Sequence, residues 1–179
     1  MGEADQYGGA VTSTLADVAS SESFEGVVNR QAERLVRSLT AMFLDPELAA
    51  DAAQDAFVQL YRHLDDVMKA GSPDAWLFKV GVNRCKDYRR TMARASRLFQ
   101  RLVNVAPVRV TPSDWEPRAE FMSLLAELPS RQRIAAVLYY DADFSVSEIA
   151  RVMGISEGSV SSHLHRARTA LRNILDANS

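Results

Sequence analysis

The chain has 179 residues, 47% of them hydrophobic, which suffices for one good core or two small ones, and its single cysteine, Cys85, excludes an intramolecular disulfide and a cysteine-rich metal site. No apolar run approaches the roughly 20 residues of a membrane-spanning helix, and no secretory signal is present, so we expect a cytoplasmic protein without membrane insertion, metal or cofactor. The net charge of −2 conceals a basic block: residues 76–101 carry eight Lys and Arg against one acidic residue, whereas residues 1–75 carry five against thirteen. Such a block indicates a polyanionic partner.

The residue pattern of the first third of the chain predicts an N-terminal leader followed by two helices. Residues 1–22 are rich in Gly, Ser, Ala and Thr with little periodicity, so we expect them to be disordered. A first helix, ending near Phe43, is predicted by apolar residues at Phe24, Val27, Val28, Leu35, Leu39 and Met42. A second helix, opened by Pro46, is predicted by Leu48, Ala52, Ala56, Leu60 and Leu64.

The third predicted helix follows a loop at residues 69–74 and contains the stretch AWLFKVGVNRCKDYRR, residues 75–90. Helical spacing predicts one core-facing stripe of Leu77, Val80, Gly81, Arg84 and Tyr88. A second stripe joins an aromatic residue, an amide and three cations: Trp76, Lys79, Asn83, Lys86 and Arg90. This combination suits an unstacked base beside its phosphates. A solvated cationic face, with Trp76 in the core, is the alternative.

A linker is predicted at residues 96–116, where Pro107 and Pro112 interrupt any helical pattern. The valines between the prolines leave a short strand as an alternative. Helical spacing resumes through Phe121–Leu128 and Pro129–Tyr140. The predicted fold is therefore all-α, with two small helical domains at residues 23–95 and 117–177 joined by a flexible linker.

The most specific pattern is SVSEIARVMGISEGSVSSHLHRARTALR, residues 145–172, which predicts a helix-turn-helix. Ser145 and Glu148 fit a capping box, Gly154 fits the turn, and Ser156 can cap the last helix. The polar residues of that helix are available to phosphates and base edges: Ser159, Ser161, Ser162, His163, His165, Arg166 and Arg168. A helical hairpin inside a small bundle is the alternative.

Three blocks in order resemble a bacterial sigma factor of the extracytoplasmic-function type: DAAQDAFVQLYRHLDDV (51–67), AWLFKVGVNRCKDYRR (75–90), and the segment from LPSRQRIAAVLYY (128–140) through the helix-turn-helix. The resemblance implies a region 2 domain, a linker and a region 4 domain. It implies binding to core RNA polymerase, at the β′ clamp helices and the β flap, and to promoter DNA, and it makes an anti-sigma factor an expected partner. It implies no catalytic activity.

The resemblance also implies roles for residues. Those expected to face the β′ clamp helices are Asp51, Gln54, Asp55 and Arg62. Residues 66–74 match the loop that captures a flipped base of the minus-ten element. The residues expected to melt and hold that element are Ser72, Trp76, Lys79, Asn83, Lys86 and Arg90. The polar residues of the last helix are expected to contact the minus-thirty-five element.

Two departures from the family pattern stand out. Ser161 and His163 stand where relatives usually carry Lys and Arg, so nonspecific attraction to DNA should be weaker and His163 makes binding sensitive to pH near 6.5. Residues 102–113 contain no acidic residue, whereas family linkers are often acidic.

Two other classes of protein compete with this interpretation. An enzyme would need a nucleophile such as Cys85 with His163 or His165 as base, but no third, orienting group is evident. A repressor or activator with a helical sensor domain explains the helix-turn-helix equally well, but leaves the stripe containing Trp76 and Asn83 unexplained.

Overall fold

The computed structural model describes residues 23–102 and 119–177, and within these ranges every regular element is a helix. The N-terminal half contains α1 (Phe24–Phe43), α2 (Pro46–Arg62), α3 (Leu64–Lys69) and α4 (Pro73–Leu102). The C-terminal half contains α5 (Ala119–Ala126), α6 (Ser130–Tyr140), α7 (Val146–Met153) and α8 (Glu157–Ala177). The all-α prediction is confirmed. The leader and the valine-rich part of the linker, with its alternative of a strand, lie outside the described residues.

Local chemistry sets the helix ends. The Ser23 hydroxyl accepts the Gly26 N–H at 3.2 Å at the start of α1, and the Asp45 carboxylate accepts the Leu48 N–H at 3.0 Å at the start of α2. The predicted capping box at α7 is present, and Gly154 ends that helix in the left-handed region at φ 67°. The boundaries differ in two places. α4 continues to Leu102, past the predicted change of pattern at residue 95. The loop predicted at residues 69–74 is shorter, since only residues 70–72 lie between α3 and α4.

In the N-terminal half, α1 packs against α2 and α4. Gly81 lets α4 approach α1 closely, because a Cβ built there would lie 3.0 Å from Cδ1 of Leu39. Leu39 is itself completely buried and has little room to move. The backbone of α4 is therefore fixed against α1, which sets the direction of every other side chain on α4.

The core-facing stripe predicted for α4 is only partly correct. Leu77 and Gly81 are buried as expected, but Arg84 is exposed and Tyr88 is 49% exposed. The rest of the buried face is formed by Ala75, Phe78, Val82 and Cys85. The helix is rotated toward this side because burying Phe78, one of the largest apolar side chains available, stabilises more than burying Tyr88.

The cores of the two halves meet. α6 packs against α1, and α7 packs against α4. The rings of Phe78 on α4 and Phe144, which precedes α7, lie edge to face with centroids 5.0 Å apart. The packing between the halves was left open by the sequence, and the structure brings them into one continuous hydrophobic core.

Candidate polymerase and nucleic-acid interfaces

The predicted docking residues of α2 are all exposed: Asp51, Gln54, Asp55 and Arg62. They lie on the side of the helix away from the buried Ala52, Ala56 and Leu60. Asp55 is held loosely by Arg84 of α4, with 3.8 Å between the carboxylate and Nε, and both side chains remain about half exposed. This surface therefore presents polar groups that a partner can reach.

An apolar groove that sequence analysis missed lies beside these residues, with a volume of about 360 Å³. It runs between the start of α1 and the end of α2 and is lined by Phe24, Val28, Gln54, Phe57, Val58 and Tyr61. Tyr61 is 69% exposed and Val58 is 43% exposed, and the Tyr61 ring meets Phe24 edge to face at 5.3 Å. The sequence does contain a pattern that could have predicted the groove: the spacing of Gln54, Val58 and Tyr61 places them on one helix face. Exposed apolar side chains grouped in this way indicate a contact surface.

Only some residues of the polar stripe predicted on α4 are accessible to a partner. Lys79, Asn83 and Arg90 are exposed, whereas Lys86 is half-buried. Trp76 is also only partly exposed and packs on the core. The alternative prediction, which placed Trp76 in the core, is therefore partly correct. Its backbone N–H donates to the carbonyl of Ser72 at 3.1 Å, which ties the preceding loop to the first turn of α4. The accessible part of the stripe is therefore an amide between cations, with one edge of an indole.

The helix-turn-helix positions a second polar face on α8. Ser161, Ser162, His165, Arg166 and Arg168 are exposed, whereas Ser159 and His163 are half-buried. The underside of α8 is fixed by three buried residues, Val160, Leu164 and Ala167. The Ser156 hydroxyl accepts the Ser159 N–H at 3.2 Å, which confirms the predicted cap. Five of the seven residues predicted to reach DNA are thus accessible on one rigid helix, with Ser159 and His163 at the edge of the accessible side.

His163 on α8 lies near Arg131 of α6, which belongs to the same half of the molecule. Burial lowers its pKa, and the positive charges of Arg131 on α6 and Arg166 on α8 lower that pKa further. Its Nδ1 is buried and has no hydrogen-bond partner among the described residues. Burial likewise lowers the pKa of Lys86 on α4, and Arg131 adds to the effect. Arg131 is therefore close to both polar faces, and its positive charge acts on Lys86 and on His163.

Cys85 does not have the environment of a nucleophile. Its side chain is fully buried, and burial raises the pKa of its thiol to about 12. Among the described residues, no group of His, Cys, Asp and Glu is arranged to hold a metal ion. The same residues form no helix that is both long and apolar enough to cross a membrane.

Comparison with known families covers both halves of the chain. The family described as Sigma-70 region 2 matches residues 27–95. The family described as Sigma-70, region 4 matches residues 118–171. The two matches lie on either side of the segment predicted as a linker.

Curated relatives match over most of their length. The RNA polymerase sigma-E factor of Streptomyces avermitilis is 31% identical over 154 residues, which are 86% of this chain and 86% of that protein. The ECF RNA polymerase sigma factor SigM of Mycobacterium tuberculosis is 32% identical over 148 residues, which are 82% of this chain and 72% of that protein.

Two solved structures share the arrangement of helices. CnrH in complex with the cytosolic domain of CnrY is 29% identical, with a TM-score of 0.62 over 94% of this chain and 97% of that chain. RpoE in complex with the anti-sigma factor NepR from Bartonella quintana has a TM-score of 0.72 over 87% of this chain and 98% of that chain. At 22% identity, the second likeness supports the fold alone.

Proposed function

We propose a division of labour among the surfaces of this chain, which belongs to the extracytoplasmic-function branch of the sigma-70 family of RNA polymerase sigma factors. It is an alternative sigma factor that binds core RNA polymerase and directs transcription initiation. The observation that carries the proposal is the separation of two exposed polar faces, on α4 and on α8, from the apolar groove of α1 and α2.

The groove and the adjoining polar residues of α2 form the docking surface for the β′ clamp helices. An exposed aromatic side chain such as Tyr61, set in an apolar groove, is the kind of residue that contributes most to protein association. Around it, Asp51, Asp55 and Arg62 supply a polar rim that orients the partner. The C-terminal half is expected to meet the β flap.

The exposed face of α4 holds the non-template strand of the minus-ten element. Opening duplex DNA without ATP costs a few kcal/mol for each unstacked base step, and binding the exposed strand offsets that cost. Lys79 and Arg90 are placed for the backbone, and Asn83 for a base edge. Lys86 adds positive charge, while Ser72 and the accessible edge of Trp76 lie at the start of α4. The segment 66–74, which ends there, receives a flipped base.

The exposed side of α8 enters the major groove of the minus-thirty-five element. Arg166 and Arg168 are the fixed cations of this face, and they contact phosphates or guanine edges. The serines at 159, 161 and 162 and the histidines at 163 and 165 have shorter side chains and make closer contacts. With few fixed charges, α8 depends on the rest of the polymerase for tight binding.

An anti-sigma factor is a further proposed partner. RpoE was solved in complex with an anti-sigma factor and CnrH in complex with the cytosolic domain of CnrY, and both resemble this chain over most of its length. The apolar groove and the two polar faces are the surfaces such a protein would have to cover to block the activity.

In-vitro transcription from a pool of promoter fragments, using bacterial core polymerase with and without this protein, tests the proposal. We expect new transcripts that depend on both components and share two upstream elements. A Tyr61→Ala variant should bind core more weakly, whereas an Asn83→Ala variant should bind core normally and open the promoter less well. Tight binding of the protein alone to a duplex operator, with no complex between protein and core, would favour a repressor instead.

A further inference from the structure

We propose that Asp74, near the start of α4, is a positioning residue for base selection: bound by Gln31 and Arg30 of α1, it fixes the turn between α3 and α4, residues 70–72. This turn belongs to the segment 66–74, to which the proposed function assigns a flipped base of the minus-ten element. The role in base selection rests on the proposed function, whereas the order that Asp74 gives to the turn does not.

The Asp74 carboxylate is bound by α1 through both of its oxygens. Nε2 of Gln31 donates to Oδ2 at 2.7 Å, and Nη2 of Arg30 donates to Oδ1 at 2.8 Å. Nη1 of Arg34 lies 3.7 Å from Oδ2 of Asp74 and donates to Oε1 of Gln31 at 3.1 Å. These four side chains, which we call the Asp74 network, connect three residues of α1 to the first turn of α4.

Gln31 is the central member of the Asp74 network. Its side chain is only 1% exposed, and its amide donates to Asp74 and accepts from Arg34. A buried amide that loses such partners is strongly disfavoured, so Gln31 is held in one orientation. Its bond to an ionised carboxylate is also stronger than a bond between neutral groups. The ion pair of Asp74 with the 46% exposed Arg30 contributes less, so Gln31 is the residue that fixes the position of Asp74.

On its other side, the turn at residues 70–72 has little support. The Ala70 N–H donates to the carbonyl of Asp66, and the Gly71 N–H donates to the carbonyl of Met68, each at 3.1 Å, so the turn moves with α3. α3 has six residues, of which Val67 is the buried one. A helix this short with one buried side chain gains little from packing. The position of the turn therefore depends mainly on its attachment to α4.

The attachment to α4 passes through the residues next to Asp74. The Trp76 N–H donates to the carbonyl of Ser72 at 3.1 Å, which joins the end of the turn to the first turn of α4. Ala75 and Leu77 are buried in the core, and Asp74 adds its bonds to α1. The ends of helices open more readily than their centres. Without the Asp74 network, the first turn of α4 would therefore open more often, and Ser72 would lose its fixed position with it.

Selection of a base is sensitive to the position of this turn. Contacts with phosphates depend mainly on charge and tolerate small displacements, whereas contacts with a base edge need hydrogen bonds of fixed length and direction. A turn that fluctuates therefore binds the correct base and a wrong base more equally. Asp74 itself should not contact DNA, because both of its oxygens accept bonds from α1 and its charge repels phosphate. Its effect on the base is indirect.

Amide hydrogen exchange on the free, full-length protein, measured by NMR, tests whether Asp74 orders the turn. In Asp74→Ala and in Gln31→Met, we expect the amides of Gly71 and Trp76 to exchange at least about tenfold faster than in the unaltered protein. Asp74 is 32% exposed, so Asp74→Ala should fold even if a change at the buried Gln31 prevents folding. Unchanged exchange at both amides in Asp74→Ala would overturn the proposal.

Each variant has a matched control on the same helix. Asp87→Ala also removes an aspartate of α4, but Asp87 pairs with Arg90 of α4 itself at 3.3 Å. Glu33→Met also places a methionine on α1, at an exposed position two residues from Gln31. Both controls should exchange at the same rates as the unaltered protein. Equally fast exchange in the controls would show that the effect does not come from the Asp74 network, and would overturn the proposal.

Promoter opening on a set of minus-ten variants tests the role in base selection. Each position of the element found by in-vitro transcription is changed in turn to the other three bases, and opening by the complete polymerase is followed with a fluorescent base analogue. We expect Asp74→Ala and Gln31→Met to lower discrimination about tenfold at the position of the flipped base. The ratios at other positions, and the affinity for core, should stay unchanged. The double variant should lower discrimination no further than either single variant, because both residues act through one contact.

The outcomes separate selection from a purely structural role. A loss of opening that is uniform over all positions, or full discrimination despite faster exchange, would overturn the role in base selection and leave a structural contact. Equal opening with every base by the unaltered protein would overturn it as well. If the unaltered protein opened no promoter together with core, the proposed function would be overturned, while hydrogen exchange on the free protein would still decide whether Asp74 orders the turn.

Discussion

The guanidinium of Arg133 donates from Nε to the main-chain carbonyl of Met42 at 2.8 Å, in a site where Arg133 is only 7% exposed. Its Nη1 donates to the carbonyls of Leu125 at 3.1 Å and Leu128 at 3.2 Å. One side chain of α6 thereby binds the end of α1, the end of α5 and the turn before α6. Burial, followed by the charge of Arg89, lowers the pKa of Arg133. The carbonyls of Met42 and Leu128 have no main-chain donor among the described hydrogen bonds, which explains why a cation lies there, whereas the Leu125 carbonyl also accepts the Leu128 N–H at 3.1 Å.

Replacing Arg133 with Met should lower the free energy of unfolding by about 3 kcal/mol, because the carbonyls of Met42 and Leu128 would remain buried without a donor. Urea unfolding followed by circular dichroism measures this. Arg131→Met is the control: Arg131 is exposed on the same helix, and its loss should change the free energy by less than about 0.5 kcal/mol. Equal stability of the two variants would contradict the role given to Arg133.

The sequence predicted what local chemistry decides. The helix ends at Phe43, Tyr140 and Gly154 follow from capping residues and apolar spacing, which act within a few residues. The polar faces of α4 and α8 were predicted for the same reason, since periodicity fixes which residues share a side of a helix.

Properties set by distant parts of the chain were not predictable. Arg133 stands in a stretch that suggests a surface position, and only carbonyls 5 to 91 residues away explain its burial. The rotation of α4 depends on Leu39 against Gly81, and the exposure of Tyr61 depends on how α1 crosses α2. No local pattern in a single sequence indicates how closely two helices distant in the chain will pack.

Tyr61→Ala should weaken binding to core polymerase about tenfold, because an exposed aromatic side chain in an apolar groove loses most of its contact area on truncation. The folded protein should lose little stability, since Tyr61 is 69% exposed. Fluorescence anisotropy with labelled protein and core polymerase measures the affinity. Tyr140→Ala is the matched control, because Tyr140 is 52% exposed and also meets another ring, that of Tyr139, edge to face at 4.9 Å. Equal losses in both variants would reject the groove as the docking surface.

Asn83→Ala should reduce promoter opening about tenfold, because the unstacked strand loses a base-edge contact, while core binding and stability stay unchanged. The change in stability should be less than about 0.5 kcal/mol, since Asn83 is exposed. Trp76→Ala should reduce both promoter opening and stability, because Trp76 packs partly on the core. A fluorescent base analogue in the minus-ten element reports opening. If Asn83→Ala opens the promoter normally, the assignment of α4 to that strand is wrong.

Ser145→Ala should cost about 1 kcal/mol at neutral pH, because it removes one half of the capping box of α7. Hydrogen bonds from the Ser145 side chain and backbone lower the pKa of Glu148 below its ordinary value. A carboxyl with a lowered pKa stabilises the fold above its unfolded pKa, near 4.3, and the stabilisation is lost as pH falls through the folded pKa. The difference between the two proteins should therefore shrink in acid, as measured by urea unfolding at several pH values. Ser161→Ala, an exposed serine inside α8, should show neither effect.

Promoter binding should strengthen as pH falls below about 6.5, and His163 should carry that dependence. In the free protein, burial and the charges of Arg131 and Arg166 lower the pKa of His163, so the ring is neutral at pH 7. The unfolded chain then binds more protons than the folded protein in the window below about 6.5, and stability falls there with decreasing pH. A DNA phosphate placed among these cations favours the protonated ring, so DNA raises the pKa of His163 and acid strengthens binding.

Anisotropy titrations of duplex minus-thirty-five DNA with the complete polymerase complex, at constant ionic strength between about pH 7.5 and about pH 5.5, measure this dependence. His163→Gln should bind with the same affinity at neutral pH and lose the increase in acid, because glutamine keeps a polar side chain that cannot titrate. His63→Gln is the control, since His63 is exposed and lies outside the DNA-binding face of α8, so its replacement should leave the increase intact. An identical pH profile in His163→Gln and the unaltered protein would show that DNA does not protonate His163. The arginines around His163 would then bind phosphate without any contribution from a protonated histidine.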